Sequence, residues 1–295
     1  MNLWFLLVPF LLSQPVPAPV PAPTPVPMPV PTPVPVPQTA DGLDVDGNWA
    51  QGRQLLLTFD DGPDWMNTPV LLDYLDDYGV KAVFFVNGRR FTGKLPQTLK
   101  NHAVLVELHR RGHVVGNHTQ THPMMAQTPP DVQRKEIERT HAAITRVTGV
   151  APWLYRPPFG GNTGASRAVL REMKYTIVMW NVDSNDPFER HANVSLRNVL
   201  SDLAIYGRGV ALFHDTNSWS TEAVPRIIRS VWLENCHRAA RGEPVVEFSN
   251  EIEAFWQPRS GKAPEPPLAR LQEAARRRAR MNAWCDGLRK GTGSP

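Results

Sequence analysis

The stretch 54–63, with the sequence QLLLTFDDGP, decides the fold of this chain and carries its most distinctive chemistry. Its apolar run predicts a buried strand, and the Gly-Pro pair at its end predicts a sharp turn. Two consecutive carboxylates, Asp60 and Asp61, therefore stand at the carboxyl end of the strand. Because adjacent strand residues point to opposite faces, both carboxylates reach one cavity only if the backbone bends there. Two anions this close repel each other unless a cation or a shared proton separates their roles.

Strand-like and helical segments alternate along the rest of the chain. Apolar runs predict strands at residues 55–59, 80–86, 113–116, 153–155, 176–182, 209–213 and 244–248. Patterns with helical spacing predict helices at residues 68–78, 131–148, 164–173, 194–206 and 222–241. This alternation implies right-handed crossovers and a parallel sheet, which makes the fold α/β. Seven such units favour a (β/α) barrel, complete or incomplete, over an open doubly wound sheet.

Composition sets the boundaries of the domain. The 295 residues contain 41% hydrophobic residues, enough for one sizeable core, and the net charge is only +4. No basic stripe interleaved with aromatic residues marks a nucleic-acid surface, so nucleic acid is not expected as a partner. The 30 prolines exceed the usual share of about 5%, but they are concentrated near the N-terminus.

The sequence divides into four segments. Residues 1–14 form a signal-like or anchor segment with a ten-residue apolar stretch, which predicts export with or without membrane anchoring. Residues 15–40 have proline at every odd position from 15 to 37 and predict a polyproline II linker, either a stiff spacer or a simple linker. The domain follows at 41–258. A basic extension at 259–295 contains a predicted helix at 268–284, either a solvated helix or a contact for acidic envelope polymers.

Polar residues gather after five of the predicted strands, where the loops of a barrel carry the chemistry. They are Asp60, Asp61, His118, His122, Arg156, Asp183, Asp186, His214 and Asp215. His118 and His122 are four residues apart, and two imidazoles with one carboxylate suit a catalytic divalent metal that keeps positions open for water and substrate. A zinc protease motif would need Glu after the first histidine, and Thr119 occupies that position. We expect Asp183 and Asp215 to accept hydrogen bonds from loop N–H groups, and the six remaining histidines to lie on helix surfaces or in the core.

Five motifs in this order, T-F-D-D-G-P, H-T-x-x-H-P, R-P-P-F-G, D-S-x-D and L-F-H-D, resemble those of the NodB-homology polysaccharide deacetylases, the carbohydrate esterases of family four. The resemblance extends over about residues 54–248. It implies a deformed barrel of seven to eight parallel strands and hydrolytic removal of acetyl groups from a sugar polymer.

The resemblance also implies a metal site and a substrate pocket. Asp61, His118 and His122 would be the metal ligands, with Zn2+ expected and Co2+ or Mn2+ as alternatives. The backbone N–H of Phe159 would help to polarise the substrate carbonyl, and Leu212 would line the pocket for the acetyl methyl group. A divalent metal at these ligands would act as a Lewis acid on the carbonyl of the substrate amide, which is a poor electrophile.

The same resemblance assigns the proton transfers. Asp60 would be the general base that takes a proton from the attacking water, held in place by Arg156. His214 would be the general acid that protonates the leaving amine, held as imidazolium by Asp186. An expelled amine needs a proton that histidine can supply near neutral pH, so the chemistry supports these roles independently.

One position departs from the family pattern. The family usually has an aromatic residue, commonly Trp, after the second aspartate of the D-S-x-D motif, and this chain has Pro187. Phe188, Trp65 and Trp219 are the candidate replacements for the missing wall of the groove. No metal ligand, base or acid is lost.

The sequence thus predicts a metal-dependent deacetylase acting on N-acetylglucosamine-containing polysaccharide, peptidoglycan or chitin-like. The alternatives are an acetylxylan-type O-acetyl esterase and a carbohydrate-binding protein without turnover. We expect a monomer that works outside the cell, in the periplasm or in the cell envelope. Export would allow Cys236 and Cys285, the two cysteines, to form a disulfide, but the sequence does not establish that bond.

Overall fold

The computed structural model describes residues 44–50, 52–249 and 268–290. The predicted segments 1–14 and 15–40 lie outside these residues, as do the domain boundaries near 41 and 258. The strands are β1 (Asp44–Val45), β2 (Gln54–Asp60), β3 (Val83–Val86), β4 (Val114–Asn117), β5 (Leu154–Tyr155), β6 (Thr176–Val178), β7 (Val182–Asp183), β8 (Gly209–His214) and β9 (Glu247–Phe248). The helices are α1 (Thr68–Tyr78), α2 (Gly88–Phe91), α3 (Pro96–Arg110), α4 (Pro130–Thr148), α5 (Gly164–Glu172), α6 (Ala192–Tyr206), α7 (Ser218–Ala240) and α8 (Leu268–Arg289).

All described strands belong to one parallel sheet with the order β1-β6-β5-β4-β3-β2-β8-β7, and β9 also pairs with β2. Only residues 179–181 separate β6 from β7, although β7 is the last strand in that order and β6 is next to the first, β1. The two ends of the sheet therefore come together, and the sheet curls into the deformed α/β barrel that the sequence predicts.

Strand β2 is buried on both faces, as its continuous apolar run predicts for a central parallel strand. Leu55, Leu57 and Phe59 pack in the large hydrophobic cluster that also includes side chains of the helices. Leu56 packs in a second cluster with Phe85 inside the barrel. Side chains alternate along a strand, so Asp60 falls on the same inner face as Leu56.

The observed secondary structure differs from the prediction at the strand 176–182 and in one additional helix, α3. The single strand predicted at 176–182 is divided into β6 and β7, because the chain passes there from one end of the sheet to the other. Helix α3 was not expected, and it buries the polar Asn101 while exposing Leu99 and Val106. Asn101 Nδ2 donates a hydrogen bond to the carbonyl of Arg90, whereas its Oδ1 has no partner among the described residues. The buried face of α3 is therefore not purely apolar.

The C-terminal helix is attached to the domain. Cys236 in α7 and Cys285 in α8 form a disulfide, which confirms the pairing that the sequence left open. Arg280 donates hydrogen bonds to the carbonyls of Asp76 and Asp77 at the end of α1. Arg277 and Arg278 pair with Glu273 and Glu247, so these arginines serve contacts within the protein.

None of the helices in the described residues combines the length and the apolar character needed to cross a membrane.

Candidate active site

The two consecutive aspartates at the end of β2 differ in backbone conformation. Asp60 is the last residue of β2 and is only 3% exposed. Asp61 has φ 72°, a left-handed conformation that is uncommon outside glycine. This is the backbone bend that the sequence requires. It turns the side chain of Asp61 toward the same side as Asp60.

Asp61, His118 and His122 form the predicted ligand set. One oxygen or nitrogen atom from each lies within 4.8 Å of the corresponding atoms of the other two. Asp61 Oδ1 is 3.7 Å from His118 Nε2 and 3.5 Å from His122 Nε2. The three residues therefore present one hard oxygen and two imidazole nitrogens to a common point, which suits a divalent cation such as Zn2+.

The hydrogen bonding of His118 determines which ring nitrogen is free. Its Nδ1 lies 2.7 Å from the backbone oxygen of Arg156, which can only accept a hydrogen bond. The proton of a neutral His118 is therefore on Nδ1, and the lone pair of Nε2 points toward Asp61. This is the tautomer that a metal ligand needs, and the carbonyl fixes the orientation of the ring.

The charges of the ligands are compatible with a cation. Burial disfavours the charged form of Asp61, but His118, His122 and His214 together lower its pKa below the ordinary value. Burial and the charge of His118 lower the pKa of His122. The two shifts favour an ionised Asp61 and a neutral His122, which are the forms that coordinate metals.

Arg156 fixes the position of the Asp60 carboxylate from inside the barrel. Its guanidinium is fully buried, donates to Asp60 Oδ1 at 2.9 Å and to Thr58 Oγ1 at 2.7 Å, and lies 4.4 Å from the ring of Phe85. Asp60 Oδ2 is 3.7 Å from His118 Nε2. One oxygen of Asp60 is therefore fixed by the arginine, and the other faces the ligand set.

His214 and Asp186 form the second predicted pair. Asp186 is fully buried, and its Oδ1 accepts a hydrogen bond from His214 Nδ1 at 2.7 Å. Its Oδ2 accepts from the backbone N–H of His214 at 2.8 Å and from the hydroxyl of Ser220. Burial lowers the pKa of His214, but the hydrogen bond and charge of Asp186, with Asp60 and Asp61, outweigh it and raise the pKa to about 9. His214 is therefore an imidazolium at neutral pH.

Further predicted residues line the site. Phe159 has φ 55°, and its ring lies edge-on to His122 with the ring centres 4.7 Å apart. Leu212 is buried in β8, two residues before His214 and on the same face of the strand. Trp219 Nε1 donates to the backbone oxygen of Asp186 at 2.8 Å. Of the three aromatic candidates to replace the missing residue at Pro187, Trp219 is the one bonded to the acid pair.

Left-handed backbone conformations are concentrated around the site. Among the described residues other than glycine, positive φ angles occur at Asp61, Thr119, His122, Phe159, Lys174 and Asn185. All except Lys174 belong to four of the five motifs. Such conformations persist only where surrounding contacts over-determine them, and they are typical of functional loops.

Several residues that support the site were missed by the sequence motifs. Asn87 Nδ2 donates to Asp61 Oδ1 at 2.9 Å, and Arg90 Nε donates to the backbone oxygen of Asp61 at 3.1 Å. Both precede or belong to α2, a four-residue helix that the hydrophobic pattern does not predict. Ser220, whose hydroxyl donates a hydrogen bond to Asp186, lies in the first turn of α7. This helix begins four residues before the predicted start. Only the folded chain brings these side chains to the motif residues.

The two remaining strand-end aspartates differ from each other. Asp183 accepts from the backbone N–H of Asn185 at 2.8 Å, as expected for a structural partner of the loop. Asp215 instead accepts from the hydroxyl of Thr68, and its other oxygen has no partner among the described residues. Burial raises the pKa of Asp215 to about 7. Gly62 packs on this carboxyl, since a Cβ there would lie 2.2 Å from Asp215 Oδ2.

Comparison with known proteins identifies relatives of a large part of the chain. A family model described as polysaccharide deacetylase matches residues 48–178. A peptidoglycan-N-acetylglucosamine deacetylase of Bacillus cereus is 36% identical over 179 residues, 59% of this chain and 62% of the relative. A chitin deacetylase of a Pestalotiopsis species is 31% identical over 165 residues, 55% of this chain and 53% of the relative. The chain thus spans less than two thirds of either curated relative.

Solved structures agree with the sequence comparison. The crystal structure of the Bc1960 peptidoglycan N-acetylglucosamine deacetylase, in complex with 4-naphthalen-1-yl-N-oxidanyl-benzamide, is 30% identical with a TM-score of 0.59. The match covers 71% of this chain and 90% of that one. Fold, motif order and sequence identity over nearly the full length of a solved relative lead to one conclusion. This chain belongs to the polysaccharide deacetylase family of carbohydrate esterases.

Proposed function

We propose that this protein is a metal-dependent hydrolase that removes acetyl groups from N-acetylglucosamine-containing polysaccharide, peptidoglycan or chitin-like. The observation that carries the proposal is the arrangement of Asp60 and His214 around the ligand set. A carboxylate fixed by Arg156 and an imidazolium fixed by Asp186 are a base and an acid at one site. A protein that only binds carbohydrate has no need of either.

The residues Asp61, His118 and His122 would hold the cation, for which we propose Zn2+, with Co2+ or Mn2+ as alternatives. A divalent cation at these ligands supplies a Lewis acid for the amide carbonyl and lowers the pKa of water. Asn87 and the Arg156 carbonyl keep Asp61 and His118 in their orientations.

Asp60 and His214 would carry the proton transfers. The free Oδ2 of Asp60 accepts a proton from the attacking water, while Arg156 keeps the carboxylate in place. His214 Nε2 then donates a proton to the nitrogen of the leaving amine, because Nδ1 is engaged by Asp186. Amine release requires this proton, so the acid and the base act on opposite sides of the bond that breaks.

Substrate contacts follow from the remaining loop residues. The backbone N–H of Phe159 would donate to the developing oxyanion, and Leu212 would contact the acetyl methyl group. The exposed ring of Phe159 and the ring of Trp219 would offer apolar faces to sugar rings of the substrate. Relatives that are peptidoglycan and chitin deacetylases support a polymer of N-acetylglucosamine as the substrate.

Export of the protein is also a proposal. The disulfide between Cys236 and Cys285 is typical of proteins that fold in an oxidising compartment. We therefore infer a place outside the cell, in the periplasm or in the cell envelope, where peptidoglycan is accessible. Anchoring through residues 1–14 and the monomeric state stay predictions from the sequence.

The experiment is acetate release by the purified protein from N-acetylglucosamine oligomers, peptidoglycan and acetylxylan. Each substrate is assayed with the protein as isolated, after chelation, and after addition of Zn2+ or Co2+. Release from the amide substrates that stops with chelator and returns with metal is expected. Faster release from acetylxylan would favour the O-acetyl esterase, and no release with any metal would favour the binding protein.

A further inference from the structure

We propose that Glu136 in α4 is a positioning residue for the ligand His122, acting through the loop that joins it to His118. The inference rests on the proposed metal site. It adds a residue that lies outside all five motifs. The contacts of the loop 117–122 carry it.

The loop between the two histidines has an unfavourable backbone. Thr119 has φ 68° and His122 has φ 62°, and neither is a glycine. Residues of this kind return to commoner conformations unless neighbouring groups hold them. The separation of the two imidazoles therefore depends on contacts that fix the loop.

Hydrogen bonds from the barrel and from the loop itself fix only part of it. The backbone N–H of Gly88 donates to the oxygen of Thr119 at 3.0 Å. Within the loop, the N–H of Thr119 donates to Asn117 Oδ1 at 2.9 Å, and the N–H of His122 donates to Thr119 Oγ1 at 3.1 Å. These bonds leave Thr121, the residue directly before His122, to be held by another group.

Glu136 is that group. Its Oε2 accepts a hydrogen bond from the backbone N–H of Thr121 at 2.7 Å, and its Oε1 accepts from Thr121 Oγ1 at 2.9 Å. The side chain is 6% exposed, and no lysine or arginine of the described residues forms an ion pair with it. A buried carboxylate without a cation depends on its hydrogen bonds, and both of these go to the ligand loop.

Helix α4 provides a rigid base for this contact. The neighbouring residue Ile137 is fully buried, and its backbone oxygen accepts a hydrogen bond from Asn117 Nδ2 at 2.9 Å. One turn of α4 therefore holds the residue before each histidine ligand, Asn117 before His118 and Thr121 before His122. The helix sets the distance between the ligands, and Glu136 transmits it to His122.

The test measures Co2+ affinity of the full chain by titration, followed through the visible absorption of the bound ion. Glu136→Ala is expected to weaken Co2+ binding about 10–100-fold, the usual loss when a residue supporting a metal ligand is removed. Activity should return at high metal concentration, because the ligands themselves are intact. Glu136→Gln should stay within a few-fold of wild type, since its amide can accept from the Thr121 N–H and donate to Oγ1.

Glu138→Gln is the matched control. Glu138 lies on the same helix, is only half-buried, and pairs with Arg134, so its replacement should leave Co2+ affinity unchanged. A folded Glu136→Ala variant with wild-type affinity would overturn the inference, and so would a Gln variant that loses as much affinity as the Ala variant. If Glu136→Ala does not fold, Thr121→Val decides, with weaker binding expected and unchanged binding contradicting the role. Failure of the wild-type protein to bind Co2+ would instead contradict the proposed function.

Discussion

Asp60 and Asp61 are adjacent in the chain, yet the structure gives them different surroundings. Asp60 keeps its strand geometry and bonds to Arg156 from the inner face of the barrel. Asp61 leaves the strand through a left-handed residue and faces the two histidines. Two neighbouring carboxylates can thus differ in role, one as base and one as ligand, because the backbone and not the side-chain type separates them.

Replacement of Asp60 tests the separation of these roles. Asp60→Asn should reduce kcat at least about 100-fold, since an amide cannot accept the proton. Metal content, measured by elemental analysis, should remain that of wild type because Asp61, His118 and His122 are unchanged. Asp73→Asn, on the exposed surface of α1, serves as the control. A wild-type rate in Asp60→Asn would contradict the assignment of the base.

Replacement of Asp186 tests the acid. The folded pKa of His214, about 9, lies above its ordinary value of 6.5, so the imidazolium that we propose as the acid is lost as pH rises through about 9. Asp186→Asn removes the charge that raises this pKa. The alkaline limb of the pH profile of kcat/KM should therefore move down by about one pH unit or more. An alkaline limb at the same pH as in wild type would contradict the proposal that Asp186 raises the pKa of the acid His214.

The raised pKa of His214 also affects the free energy of unfolding. A raised histidine pKa stabilises the folded protein fully below about pH 6.5, and this contribution disappears as pH rises through about 9. The free energy of unfolding of wild type should accordingly fall over this window, and the fall should be smaller in Asp186→Asn. Urea unfolding at several pH values measures both.

Among the elements, β2 and α8 show how differently the local sequence relates to structure. The continuous apolar run of β2 predicts a central strand, and the structure pairs it with β3, β8 and β9. The basic, alanine-rich sequence of α8 predicts a helix but not its location. The disulfide to α7 and the edge-on contact of Trp284 with Trp232 determine that location.

Removal of the disulfide measures how much it stabilises the attachment of α8. The two cysteines are 49 residues apart, and closure of such a loop is worth about 4 kcal/mol in the chain-entropy model. The double variant Cys236→Ser/Cys285→Ser should lose about 2–4 kcal/mol of unfolding free energy. Wild type treated with a reductant is the control and should lose a similar amount. An unchanged free energy in both would show that the bond adds nothing to stability.

At the scale of the molecule, the site is an assembly of loops from five strands. Arg156 reaches Asp60 across 96 residues of sequence, and His214 reaches Asp186 across 28. A cation held by two of these loops would bind the folded chain and not the unfolded one. Metal binding and global stability should therefore be coupled.

This coupling predicts a thermal shift. Free Zn2+ at about 100 times its Kd should stabilise the protein by about 2.7 kcal/mol, which corresponds to a Tm increase of about 5–10 °C for a domain of this size. His118→Ala removes one ligand, so it should bind less metal and show little shift. Calorimetry with and without chelator measures the change. Equal shifts in both proteins would place the stabilising ion elsewhere.

The sequence by itself determined the parallel α/β barrel, the need for a backbone bend between Asp60 and Asp61, and the identities of the motif residues. Strand periodicity, turn chemistry and motif order are local properties, and they remain readable without the fold. Only the tertiary structure decided where the ends of the sheet meet, which tautomer His118 adopts, and which aromatic residue bonds to the Asp186 backbone. It also brought Asn87, Ser220 and Glu136 to the site. These are contacts between distant segments, fixed by the packing of helices on the barrel, and no local pattern encodes them.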